Sequence, residues 1–215
     1  MDSKMVNLKI QALGQTIYMV FFSTLFSSVL GFILGIILTV TSPNGLKPNK
    51  VNFKFLDVII NILRSFPFII LIVFIIPLTR AIVGTSIGET AAIVPLTIAS
   101  APFVARIIES SLKEVDTGVI EAAKSFGASN IQIIFRVMLK EAVPSIISGL
   151  TLTIISIIGY SAMAGCTGAG GLGKVAISYG YQRYQTPVMI VTVIILIVMV
   201  QGLQSLGNYL YKRLR

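Results

Sequence analysis

Residues Glu121 to Leu139 read EAAKSFGASNIQIIFRVML, a mixed polar and apolar segment between long apolar ones. From Val119 the apolar positions Val119, Ala122, Ala123 and Phe126 fall at i, i+3, i+4 and i+7, which is one face of a short helix. Gly127 follows as a natural left-handed residue just past a helix end. Ser129 and Gln132 then have the spacing of a capping box, the start of a second helix. Its apolar stripe is Ile131, Ile134, Phe135, Met138 and Leu139, with Gln132, Arg136 and Lys140 opposite. The pattern predicts two short amphipathic helices that meet at a glycine bend. The second suits a membrane surface, whereas the short, alanine-rich face of the first suits a groove on another protein.

Outward from this segment the chain is apolar on both sides. Uncharged runs cover residues 10–46, 65–79, 90–105, 142–173 and 184–211. Only 12% of the 215 residues are charged, 55% are hydrophobic and the mean hydropathy is +0.91. A soluble domain carries about twice that charged fraction. Runs of 18 or more read as membrane spans, and shorter ones become spans where a flanking charge can snorkel or face protein, so the fold class is an all-α membrane protein. Five transmembrane helices are expected at about Thr16–Val40, Leu56–Thr79, Gly88–Ile107, Ala142–Ala164 and Pro187–Asn208. The first run is long enough to span, and no cleavable signal is expected ahead of it.

Five crossings put the termini on opposite sides. With the N-terminus outside, eleven basic residues lie inside (Lys47, Lys50, Lys54, Arg106, Lys113, Lys124, Arg136, Lys140, Lys212, Arg213 and Arg215). Five lie outside (Lys4, Lys9, Arg80, Lys174 and Arg183), an asymmetry that favours N-out, C-in. The net charge of +9 is then topology, not a nucleic-acid site. Residues 108–141 become the longest inner segment and hold five of the eight acidic residues.

Several residues within the spans stand out. Pro67, Pro77, Pro95 and Pro102 free backbone carbonyls that only neighbouring helices or water can satisfy, so the second and third spans belong inside a bundle. Arg64 lies about 15 Å of helical rise from Lys54. It reads either as a cavity-lining charge or as a snorkelling side chain paired with Asp57. Gly31 and Gly35 form a G-x-x-x-G that permits close approach of another helix, including that of a second copy.

The run GAGGLGK, Gly168 to Lys174, fits two nucleotide templates, G-x-G-x-x-G and the first part of a P-loop. Val175 stands where a P-loop needs a Ser or Thr for magnesium, and no acidic residue follows Glu141 to hold a ribose. The loop also falls on the outer side. The glycines therefore read as tight turns and close backbone approach. With no His and one Cys, the chain cannot build a His-based triad, a Cys cluster for zinc or a disulfide framework, and no metal site is expected; Cys166 reads as a small packing residue.

At the opening segment the chain resembles the permease subunits of binding-protein-dependent ABC importers, whose cytoplasmic EAA loop reads E-A-A, three residues, G, nine residues, I-x-L-P. Glu121, Ala122, Ala123 and Gly127 match at the required spacing; Val137 replaces the Ile, Leu139 matches, and Lys140 departs from the proline. Arg64 to Gly88, Gly159 to Gly165, the glycine run from Gly168 and YGYQRYQ from Tyr179 are similar to segments of the methionine-type permeases, the MetI family.

This resemblance implies a type I ABC importer permease fold in which residues 1–215 form one domain. It implies a homodimeric path for methionine in a bacterial cytoplasmic membrane. The implied partners are a second copy, a cytoplasmic ATPase dimer that carries the ATP and Mg, and an extracytoplasmic substrate-binding protein, often a lipoprotein. Glu121, Ala122, Ala123 and Gly127 become the ATPase-coupling site. Arg64, Ser161 and Met163 become candidates for the translocation path. Gly170, Gly171, Gly173, Tyr179 and Tyr181 become candidates for the outer mouth, the tyrosines reading equally as interfacial anchors. Pro144 is expected to supply part of the turn that Lys140 lacks. A permease for another amino acid or a quaternary amine would keep the same loop. A carrier or channel working without an ATPase would leave the docking helix unexplained, and a membrane enzyme is disfavoured because the chain has no His and few acidic residues.

Overall fold

The computed structural model describes residues 3–214, which are helical throughout apart from short connections. Arg215, counted above among the inner charges, lies outside the described residues, and so does the side chain of Lys4. Among the described residues four helices are long and apolar enough to cross a membrane, or five if one bent pair counts as a span.

Helix α1 runs from Ser3 to Thr41, starting thirteen residues before the expected span at Thr16. Its extra turns bury Ala12 with Leu172, Val175 and Val188. At its other half Gly31 meets Ala101 and Val104, and Gly35 meets Ala105 and Ile108, all on α5 (Glu89–Lys113). A Cβ at Gly31 would stand 2.4 Å from the Val104 Cβ. The two helices therefore run parallel in near backbone contact, and the G-x-x-x-G serves packing within the chain.

Parallel α1 and α5 require a return crossing between them. It is not the single helix Leu56–Thr79 expected from the sequence. The chain forms α2 (Lys50–Ser65), α3 (Phe68–Phe74) and α4 (Ile76–Val83), with a bend of 104° between α2 and α3. Pro67 is the cause. It drives the preceding Phe66 out of helical geometry, to φ −75° and ψ 123°. Pro77 sits in the first turn of α4, where a missing N–H costs nothing, and Gly84, at φ +81°, closes that helix.

Helix α5 carries Pro95 and Pro102 and is the most enclosed span, buried against α1 on one side and α8 on the other. After α6 (Thr117–Ser125), one continuous helical stretch extends from Asn130 to Gly165: α7 (Asn130–Gln132), a π-helical segment (Ile133–Met138) and α8 (Leu139–Gly165). The second amphipathic helix is thus the opening of the fourth span, not a separate element that turns near Lys140. Lys140 has the N–H that a proline would lack, and Pro144 lies inside α8 without ending it. Gly149 faces Ile107 and Ser145 bonds Ser111, so α8 returns antiparallel to α5. A short α9 (Gly171–Val175) and a second π-helical segment (Ala176–Tyr181) precede α10 (Thr186–Leu214).

Candidate functional site

Helix α6 and the bend that follows it are held by hydrogen bonds at both ends. Asp116 caps α6, its carboxylate accepting from the Gly118 N–H at 2.6 Å. At the other end the Ala128 N–H donates to Ala123 O at 3.1 Å and the Gly127 N–H to Lys124 O at 2.9 Å. With Gly127 at φ +79° this is a Schellman motif. The capping box follows: Gln132 N–H donates to Ser129 Oγ, and Ser129 N–H to Gln132 Oε1 at 2.8 Å.

Held in this way, α6 divides its apolar residues. Ile120 and Ala123 turn inward onto Leu112, Val115, Ile133 and Met138. Val119, Ala122 and Phe126 stay bare, Phe126 at 91% exposure. The expected stripe of the following segment is also corrected. Ile133, Ile134 and Met138 are buried, while Ile131 and Phe135 are exposed. The π-helical segment adds a residue to the turn and rotates the buried face away from the α-helical period. Glu121 and Lys124 border a cleft of about 500 Å³ between α6 and the end of α1, whose other wall includes Pro43, Asn44 and Leu46.

A charge cluster that the sequence did not disclose lies just above. Arg106 on α5 donates to the Asp57 carboxylate on α2, to Asn61 Oδ1 at 3.0 Å and to Glu109 Oε2 at 2.6 Å. Lys113 Nζ donates to the other Glu109 oxygen at 2.7 Å, and the Glu109 side chain is 6% exposed. Asp57 therefore pairs with Arg106, not with Arg64. Arg64 instead lays its guanidinium over the Phe103 ring, 5.0 Å from its centroid, and is exposed. Ser145 donates to Glu114 at 3.1 Å and accepts from Ser111 at 2.9 Å, so the end of α5 is tied to α8 as well.

The remaining sequence candidates separate. Met163 is 42% exposed, but Ser161 is 2% exposed and donates to Ile158 O, so this structure does not bring the pair to one surface. Gly170, Gly171 and Gly173 are buried rather than facing a mouth. Gly173 lies against the Ala162 backbone, and a Cβ at Gly171 would meet Thr16 Oγ1 at 2.7 Å. The N–H groups that a phosphate would need are occupied: Gly171 donates to Gln15 Oε1 and Leu172 to Thr16 Oγ1, each at 2.9 Å. Tyr179 packs under the Arg183 guanidinium, while Tyr181 is exposed. Cys166 is exposed at the end of α8, not packed as expected. Among the described residues no cluster of His, Cys, Asp or Glu could hold a metal.

A broken return span between parallel α1 and α5, a short helix presented with its apolar face bare, and two further membrane-length helices define a multi-pass transporter subunit of the type I ABC importer fold. The chain belongs to the family of binding-protein-dependent transport system inner membrane components, whose model matches residues 31–215. Within it, it is a permease subunit of the MetNI type of importer, built to couple to an ATPase. It is 51% identical over 207 residues to the probable D-methionine transport system permease MetI of Vibrio cholerae, covering 96% of this chain and 92% of that one. It is 47% identical over 194 residues to the methionine import system permease MetP of Bacillus subtilis, covering 90% and 87%. The inward-facing MetNI methionine ABC transporter superposes with a TM-score of 0.98 at 43% identity over the whole of both chains. An amino acid ABC transporter solved with histidines shares the fold, at a TM-score of 0.81 and 23% identity over 98% of this chain and 95% of that one.

Proposed function

We propose that this chain acts as one permease domain, residues 1–215, in a homodimeric path for methionine. In this reading α6 seats in a groove of a cytoplasmic ATPase subunit that binds ATP and Mg. The observation that carries it is the double anchoring of α6. A helix capped by Asp116, closed by Gly127 and packed inward through Ile120 and Ala123 still leaves Val119, Ala122 and Phe126 uncovered. A rigid apolar face of this size suits a protein groove. Ala122 allows close seating, Glu121 supplies a charged acceptor, and Ala123 and Gly127 hold the helix in place.

Coupling follows from the connections. A shift of α6 reaches α5 through the short connection at Val115 and Asp116, passes to α8 through the Glu114 and Ser145 link, and reaches α2 through Arg106 and Asp57. Both elements approach the break at Pro67. Two states of that joint, biased from the cytoplasmic side by the ATPase and from the outside by a substrate-binding protein, give alternating access. Arg64 and Met163 are the path residues of this reading, and Tyr181 belongs to the surface that meets the binding protein. The chain lies in the cytoplasmic membrane with its N-terminus outside and its C-terminus inside, the orientation favoured by its basic residues.

Methionine as cargo rests on the relatives and on the solved importer. The test is uptake of labelled methionine at low concentration in cells with and without the chain, against a panel of amino acids as competitors. Uptake that needs the chain and is blocked by methionine and its close analogues supports the cargo. Chain-dependent uptake of a different amino acid replaces it.

A further inference from the structure

Arg64 occupies a place that a cation rarely holds. It lies in the last turn of α2, immediately before the break at Pro67, and stacks on Phe103. Along α5, Phe103 stands ten residues from Lys113 and fourteen from Glu89, about 15 Å and 21 Å of helical rise. Phe103 lies within the uncharged run 90–105 of α5, one turn from the Arg106 cluster, and so inside the hydrocarbon region but nearer its inner end. Arg64 is nevertheless exposed. Asp57, the acid two turns earlier on the same helix, is taken up by Arg106 and Asn61. Among the described residues no carboxylate forms an ion pair with Arg64.

An exposed guanidinium at this depth is costly against lipid tails and belongs where water or an anion can reach it. A planar fork of donors is suited to a carboxylate, and an aromatic ring beneath fixes the plane of the fork. We propose that Arg64 is an anion-recognition site of the path, receiving the α-carboxylate of the amino acid as it passes the break between α2 and α3. The inference rests on the reading of Arg64 as a path residue. It adds the chemical group recognised and the point in the crossing where recognition occurs.

The test uses the complex with its ATPase and binding protein, reconstituted in liposomes, with the sole cysteine replaced by Cys166→Ser. Ser65→Cys, next to Arg64 and exposed, reports the local environment. Anionic and cationic methanethiosulfonates label it from water, and the ratio of their rates reports the local potential. The expected result is labelling at Ser65→Cys, with the anionic-to-cationic ratio falling about tenfold when Arg64→Gln is added. In the same complex without the Ser65 change, Arg64→Gln lowers maximal methionine uptake about tenfold without altering the half-saturating concentration, and Arg64→Lys recovers a large part of it. No labelling at equal membrane level overturns the path reading and the proposal together. Labelling with a ratio and an uptake rate that Arg64→Gln leaves unchanged overturns the anion site alone.

Discussion

Arg106 on α5 and Asp57 on α2, forty-nine positions apart, form an ion pair across the two helices, and the same guanidinium holds Glu109 one turn along its own helix. The pair fixes α2, the first half of the broken span, against the helix that leads into α6. Its removal leaves Glu109, whose side chain is almost fully enclosed, with Lys113 as its remaining cationic partner. Arg106→Gln is expected to destabilise the permease by about 1.5–3 kcal/mol, the range for a hydrogen bond to a charged group. Arg106→Lys, which keeps a positive charge between Asp57 and Glu109, should recover part of that loss in a thermal-unfolding assay in detergent. Equal melting of Arg106→Gln and wild type would mean that the pair contributes nothing.

The packing of α1 on α5 makes a second prediction. Gly31→Val places a methine carbon where Val104 Cβ already stands. Overpacking of this kind costs about 1–3 kcal/mol. The variant should accumulate poorly and melt earlier, whereas Gly14→Val, on an open stretch of the same helix, should not.

Gly127 lies at φ +79° with open space around it, so the barrier to substitution is conformational and not steric. A side chain in the left-handed region costs about 1–2 kcal/mol. Gly127→Val is expected to abolish methionine uptake while membrane insertion is retained, because only the exit from α6 is altered. Glu121→Lys should do the same through charge reversal at the docking face. Wild-type uptake in either variant, at equal membrane level, removes the coupling assignment.

The glycine run Gly168 to Lys174 should bind no nucleotide. The Gly171 and Leu172 N–H groups are satisfied by Gln15 and Thr16, and Gln15→Leu with Thr16→Val leaves both without partners, at about 1–3 kcal/mol each. Mg-ATP should leave the melting temperature of the isolated permease unchanged, while the double variant lowers it. A stabilising shift with Mg-ATP would revive the phosphate reading.

The features legible in the sequence were those with local causes. Gly127 and the Ser129–Gln132 box sit where backbone chemistry needs them, and long uncharged runs became long helices. The break at Phe66 was signalled by Pro67, but hydropathy alone runs straight through it. The π-helical segment at Ile133–Met138 has no local sequence sign, so the buried stripe was read on the wrong period. The partner of Asp57 was equally hidden. Arg64 lies on the same helix two turns away, but only the packing of α5 against α2 brings Arg106 within reach.

The measurement closest to the central claim is ATP-driven methionine uptake by the complex of permease, ATPase and binding protein in proteoliposomes, comparing wild type with Phe126→Ser. Phe126 is almost fully exposed in the isolated chain, so its loss should leave the melting temperature unchanged. Truncating a buried aromatic anchor at an interface costs about 2 kcal/mol or more. The account predicts a normally folded variant that loses both ATPase copurification and uptake. A variant that retains ATPase binding and transports at the wild-type rate would contradict it.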